Sequence, residues 1–267
     1  MEIKKETLSF LNKTNTHVFY FIPDHDLAFP KTMAVFSHGY TADKSSILNW
    51  AVRLAEVGVP VALFDLPGHY LGNFSEVESF LDFTQHGHEL FANAFFRLKE
   101  IYQDEFPLND HLLDTDQLKL VLGGHSLGSL LSLKALNDER LKDYQKLSVA
   151  VGLGMAPKDI VHLFDTPFYK STLKLREQLV SPALKPDNIF PWIKKEKEEI
   201  ILNSKRIHLI TGADDLVVGS DGMERFRDYL VSLGNDVSFE KPTKLPHHEP
   251  ELAASHVKKY LKSIDWI

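Results

Sequence analysis

Short apolar runs recur along the chain, and between them apolar residues return at helical spacing. Residues 3–11 and 17–22 are two strand-like runs joined by Asn12-Lys13-Thr14-Asn15, which predicts an antiparallel hairpin. Further strands are predicted at 34–37, 59–65, 118–123, 147–153, 206–212 and 236–241. In 44–57, Ile47, Trp50, Ala51 and Leu54 share one helical face, with Asp43 as the N-cap. In 83–104, Leu90, Ala94, Leu98 and Ile101 form a second stripe. Helices are also expected over 127–137, 220–232 and 250–264. Strands alternating with helices predict an α/β fold: a mostly parallel, doubly wound sheet with an N-terminal antiparallel hairpin. Functional side chains in such a sheet belong at the carboxyl ends of the strands.

The interval between strands 147–153 and 206–212 is too long for one crossover helix. Residues 155–205 are rich in aromatic residues and leucine, and are expected to be a helical cap inserted into a single domain spanning 1–267. Phe164, Phe168 and Trp192 are the candidates for roofing an apolar pocket. Within the same segment, Lys194 to Glu199 reads as a solvated helix face.

Charge and composition narrow the possible partners. A net charge of −7 argues against nucleic acid. No apolar run is long enough for a transmembrane helix. The first residues, Met1 to Glu6, are charged, unlike a signal peptide, and the chain has no cysteine. A cytoplasmic location and a small-molecule substrate are therefore expected. No cofactor is expected, and no metal either: His86 and His88 resemble a ligand pair, but no carboxylate or cysteine cluster supports them.

The densest chemistry is Gly124-His125-Ser126-Leu127-Gly128, a G-x-S-x-G sequence between a predicted strand and a predicted helix. The turn raises the Ser126 hydroxyl above the sheet. Gly124 and Gly128 are required because a Cβ there would strike neighbouring backbone. A serine hydroxyl needs a base, a group that orients the base, and donors for the oxyanion. The acid lies in Gly212-Ala213-Asp214-Asp215, where Asp215 is favoured over Asp214. The base lies in Leu245-Pro246-His247-His248-Glu249-Pro250, where His248 is favoured over His247 because it precedes the expected helix start. The oxyanion donors are the Tyr40 N–H, which follows the tight turn at Gly39, and the Leu127 N–H.

With His38-Gly39, Asp65-Leu66-Pro67-Gly68-His69, the serine pentapeptide, Gly212 to Asp215 and His248 in this order, the chain resembles the α/β-hydrolase superfamily over about residues 30–260. The resemblance implies a serine hydrolase with Ser126, Asp215 and His248 as its triad and the Tyr40 and Leu127 amides as its oxyanion hole. The expected substrates are short- to medium-chain carboxylic esters, with thioesters, acyl-peptides and C–C bonds as alternatives on the same triad. Epoxide hydrolase chemistry in this family needs an aspartate where Ser126 stands. A non-catalytic ligand-binding protein on the same fold is the alternative of another class. After His69 many members continue Gly-x-Ser. This chain has Tyr70-Leu71-Gly72-Asn73, which leaves substrate preference open.

Overall fold

In the computed structural model, β1 (Glu2–Phe10) and β2 (Thr14–Ile22) pair antiparallel, Glu2 opposite Ile22 and Phe10 opposite Thr14. The description covers residues 1–24, 31–106, 117–156 and 167–267, with side chains from 171 onward in the last stretch. Six further strands follow: β3 (Thr32–Ser37), β4 (Val61–Phe64), β5 (Lys119–His125), β6 (Gln145–Val151), β7 (Arg206–Ile210) and β8 (Asp236–Glu240). They form one eight-stranded sheet in the order β1-β2-β4-β3-β5-β6-β7-β8. β2 joins β4 antiparallel, and all pairings from β4 to β8 are parallel.

The helices are α1 (Leu48–Ala55), α2 (Phe80–His86), α3 (Glu89–Glu105), α4 (Leu127–Ala135), α5 (Pro167–Gln178), α6 (Pro186–Glu199), α7 (Gly222–Ser232) and α8 (Ala254–Ser263). Side chains alternate across a strand, so each inner strand feeds two cores. Leu120 and Leu122 pack with residues of α3, α4 and α7, whereas Val121 packs with Trp50 and Leu54 of α1 and Val257 and Leu261 of α8. Among the described residues, no helix is long and apolar enough to cross a membrane.

The helix expected over 83–104 is two helices. Gly87 separates α2 from α3, and a Cβ at that position would meet the Phe83 carbonyl at 2.7 Å. Asp43 does cap its segment, but the capped element is a 3₁₀ turn, Lys44–Ile47, that leads into α1. A 3₁₀ turn, Pro250–Ala253, likewise precedes α8.

The strand order reverses at β3. The chain leaves β3 for β4 on one side and returns as β5 on the other. This divergence opens a crevice beyond the carboxyl ends of β3 and β5, the usual ligand position in such sheets. His38-Gly39 and Ser126 stand at those two ends. Below them, the buried Asp65 carboxylate accepts the Lys44 amide at 2.8 Å and the Lys44 Nζ at 2.6 Å, tying the turn before α1 to the end of β4.

Candidate active site

Ser126 occupies the junction of β5 and α4 with φ +50° and ψ −109°, a conformation that costs energy for any residue with a Cβ. It persists because the surroundings fix it. The Ser126 N–H donates to Val151 O at 2.8 Å, and the Gly128 N–H donates to His38 O at 3.0 Å. A Cβ on Gly124 would lie 2.3 Å from Ser37 O, and one on Gly128 would lie 2.4 Å from the same atom. The two glycines let β3 pass directly under the turn, which agrees with the clash expected from sequence. The buried Ser129 hydroxyl accepts the Val151 N–H at 2.9 Å and braces β6 beside the turn.

The loop after β3 abuts the serine. A Cβ on Gly39 would meet His125 Nδ1 at 2.6 Å and the Ser126 Cβ at 3.3 Å. His38 holds this loop: its Nε2 accepts the Leu66 N–H at 2.8 Å, and its Nδ1–H donates to Gly39 O at 2.8 Å. That pair of roles belongs to neutral imidazole. Burial, the largest cause, lowers its pKa from 6.5 to about 4. Tyr40 follows Gly39. Leu127 is the first residue of α4, where helix N–H groups lack intrahelical partners and the dipole favours negative charge.

Asp215 is buried in the loop after β7. Its Oδ1 accepts the N–H groups of Val217 and Val218 at 2.9 and 3.0 Å, and its Oδ2 accepts from His247 Nδ1 at 2.8 Å. The exposed Asp214 does something else: its Oδ1 accepts the Leu245 N–H at 2.8 Å and so anchors the loop carrying the histidines.

The expected pairing of Asp215 with His248 is not formed; His247 takes that position. The Glu249 N–H donates to Pro246 O at 3.0 Å, so His247 and His248 are the two corner residues of a β-turn. Successive corner side chains diverge, and of the two only His247 meets Asp215. His248 is exposed. The His247 ring also rests on His125, with centroids 4.7 Å apart and planes at 55°. His125 is buried, and neither of its ring nitrogens has a hydrogen-bond partner among the described residues. Burial first, and then the neighbouring His247, hold its pKa well below the ordinary value.

Ser126, His247, His248, Gly39 and Tyr40 line one cavity of about 700 Å³. Its other wall comes from the segment between β6 and β7: Arg176 of α5, and Phe190, Ile193 and Lys197 of α6. The Tyr40 ring meets Phe190 edge-on at 5.1 Å, and its hydroxyl donates to Leu184 O at 2.8 Å. The foot of this segment is stitched to the loop after β4. Tyr70 N–H donates to Leu179 O, and Ser181 N–H donates to Gly68 O, both at 2.8 Å. Gly68 has φ +74°, and a Cβ there would meet Ser181 Oγ at 2.8 Å.

Of the residues expected to roof the pocket, Phe164 and the Phe168 side chain lie outside the described residues. Trp192 is not in the cavity wall. It packs against Phe80 and Phe83, with Lys134 over its ring at 5.5 Å. Phe190 and Ile193 line the cavity instead. Lys197 departs further from expectation. Read as part of a solvated face, it is only 9% exposed and donates to Gly154 O at 2.6 Å. The spacing Phe190, Ile193, Lys197 (i, i+3, i+7) puts it on the inward stripe of α6, a signal present in the sequence. His86 Nδ1 faces Glu89 at 2.8 Å, remote in the chain from these elements.

No protein-family model matches the chain, and no curated protein matches it. Solved structures do. A carboxyl esterase from Bacillus coagulans superposes with a TM-score of 0.61 at 17% identity, over 99% of this chain and 98% of that one. An epoxide hydrolase from Vigna radiata gives 0.60 at 15% identity, over 98% of both chains. An esterase from Pyrococcus furiosus gives 0.58 at 16% identity, over 98% of this chain and 90% of that one. With the eight-stranded sheet, its N-terminal antiparallel strands and the helices on both faces, these likenesses show that the chain has the α/β-hydrolase fold.

Proposed function

We propose that the chain is a serine hydrolase that cleaves carboxylic esters through an acyl-enzyme. The single observation that carries this is the convergence, on one cavity, of a serine in a strained strand-to-helix turn and a histidine hydrogen-bonded to a buried carboxylate. Three structures of similar fold are an esterase, a second esterase and an epoxide hydrolase, so fold alone does not select the chemistry. Serine at position 126 favours acyl transfer.

In this reading Ser126 attacks the carbonyl carbon while His247 Nε2 takes its proton. Asp215 fixes the imidazole with Nδ1–H directed at the carboxylate and stabilises the imidazolium as it forms. The Tyr40 and Leu127 amides stabilise the tetrahedral oxyanion. His247 then gives the proton to the departing alkoxide, and a water activated in the same way releases the acid. Phe190 and Ile193 supply apolar wall for a chain of limited length, which favours short to medium esters over long-chain triglycerides.

The test is labelling and turnover together. Wild-type protein should take up one fluorophosphonate per chain on Ser126 and hydrolyse 4-nitrophenyl esters of short chain, and Ser126→Ala should do neither. Turnover retained in Ser126→Ala at a tenth of the wild-type kcat would overturn the reading. Acyl-CoA substrates run alongside decide between oxygen and sulfur esters.

A further inference from the structure

Lys197 is a buried cation facing the same cavity as Ser126, and nothing in the mechanism uses it. It projects from the inward stripe of α6 with Phe190 and Ile193. Its Nζ has three hydrogens. One is directed to Gly154 O, and Gly154 itself lines the cavity. Among the described residues, no carboxylate lies within ion-pair distance of it. The neighbouring lysines and glutamates are spent elsewhere or face solvent: Glu196 binds Lys134, and Lys195 lies near Glu199 on the exposed side. A buried ammonium without a counter-ion is costly, and proteins retain one where something supplies the missing charge.

A second cationic side chain lines the same cavity. Arg176, whose Nη1 donates to Thr41 Oγ1 at 2.9 Å, lines the cavity from α5. Arg225 and Glu198 are the charges that act on Lys197 from outside the cavity. Asp214, His247 and His248 line the same cavity. The segment between β6 and β7 thus brings two cationic side chains, Arg176 and Lys197, and two apolar ones, Phe190 and Ile193, to the cavity.

We infer that Lys197 is a substrate-binding residue that receives a carboxylate carried by the ester, so that the preferred substrates are monoanionic. This rests on the reading of Ser126 as the nucleophile. The carboxylate sits on the acyl chain or on the alcohol, away from the scissile carbonyl. Burial, the largest cause, lowers the Lys197 ammonium from 10.5 to about 8, so it is cationic at neutral pH and loses its charge under mildly alkaline conditions.

Two matched ester pairs test this. In the first, the charge is on the acyl side: 4-nitrophenyl hydrogen glutarate against its methyl ester. In the second, it is on the alcohol side: 4-acetoxyphenylacetate against its methyl ester. The readout is the ratio of kcat/KM for the anionic ester to that for the neutral one. In one of the pairs the ratio should fall at least about tenfold in Lys197→Met, chiefly through KM, as expected when a charge-assisted hydrogen bond is removed. In wild type the same ratio should decline as the pH rises past about 8. Groups that titrate in the shared machinery act on both members of a pair and cancel. Should Lys197→Met fail to fold, the wild-type pH dependence decides alone.

A ratio that is the same in wild type and variant for both pairs, or that does not move through pH 8, overturns the inference. If neutral esters are still hydrolysed in that case, the Ser126 reading stands without it. No turnover of any of the four esters, with no fluorophosphonate on Ser126, removes both.

Discussion

His247 Nδ1 lies 2.8 Å from Asp215 Oδ2, and the carboxylate that receives it is already held at its other oxygen by the amides of Val217 and Val218. A carboxylate fixed on both oxygens leaves the imidazole little choice of orientation. It also sets the tautomer, with hydrogen on Nδ1 and a lone pair on Nε2. Asp215→Asn offers an amide in place of that acceptor and should lower kcat about 10⁴-fold. His247→Ala should be comparably severe, whereas His248→Ala and Asp214→Asn should stay within roughly tenfold of wild type. Steady-state kinetics of the four variants on one short 4-nitrophenyl ester checks this. A severe His248→Ala beside a mild His247→Ala would reject the assignment.

The glycines of the serine turn make a second test, on stability. A methyl added at Gly128 would stand 2.4 Å from Ser37 O and 2.7 Å from His38 O, both backbone atoms that cannot rotate away. Gly128→Ala should destabilise by about 3 kcal/mol, the upper part of the overpacking range. At roughly 2–4 °C per kcal/mol for a chain of this size, thermal unfolding should drop by roughly 6–12 °C. A melting curve that superposes on wild type would show that β3 does not run against the turn.

Acid should weaken the fold through histidines that the core keeps neutral. Burial lowers His38 from 6.5 to about 4, His69 to about 3 and His208 to about 4. Below pH 6.5 the unfolded chain takes up protons at these positions and the folded chain does not. The stability they contribute is present above 6.5 and is lost as the pH falls toward 4. Each such group adds a slope of about 1.4 kcal/mol per pH unit across the window. Urea midpoints measured from pH 7 to pH 4 should fall steadily, and a flat profile would contradict the burial of these rings.

Phe190 and Ile193 line the cavity and Trp192 does not, so selectivity for chain length is expected to follow the first two. Truncating either cavity residue to alanine should move the preferred acyl chain to greater length, since each accommodated methylene gains up to about 0.8 kcal/mol. Trp192→Ala should lower the melting temperature and leave the chain-length optimum where it is, because the indole packs on Phe80 and Phe83. A series of 4-nitrophenyl esters from two to sixteen carbons separates the two effects.

The buried pair Lys44–Asp65 should matter by its integrity more than by its presence. Lys44→Met leaves the fully buried Asp65 carboxylate with the Lys44 amide as its remaining short contact, and should cost about 3–5 kcal/mol. The double variant Lys44→Met, Asp65→Leu should recover part of that loss. Denaturant titration of the three proteins reads both effects.

Much of this was legible in the chain because it rests on period and composition. The inner strands are mostly apolar, as a sheet covered on both faces requires, and their boundaries fall within a few residues of expectation. The serine turn was legible for a steric reason: only glycine fits beside the Ser37 carbonyl. What was not legible depends on orientation within one or two residues. His247 and His248 are adjacent corners of one turn, and no periodicity tells which of them meets Asp215. The break at Gly87 is hidden because the apolar stripe continues on both sides of it. Lys197 was obscured by its charged neighbours, although its spacing from Phe190 and Ile193 marks the inward face of α6.

The turn at His247 lies late in the chain, far from the residues it joins. Ser126 and its loop partner Gly39 come from the first half of the chain, while the histidine arrives after the last strand, held by Asp214 behind it and by the Trp50 indole, which donates to Pro250 O at 2.8 Å, ahead of it. The Trp50 contact spans 200 residues. On the proposed mechanism, a chain emerging from synthesis carries Ser126 long before His247, and should stay inert until its C-terminal strand and turn have docked onto the N-terminal half. Ester hydrolysis, if it follows the proposed mechanism, should then report complete folding. In refolding experiments it should appear after the bulk of the helical signal, on the timescale of the slowest long-range contact.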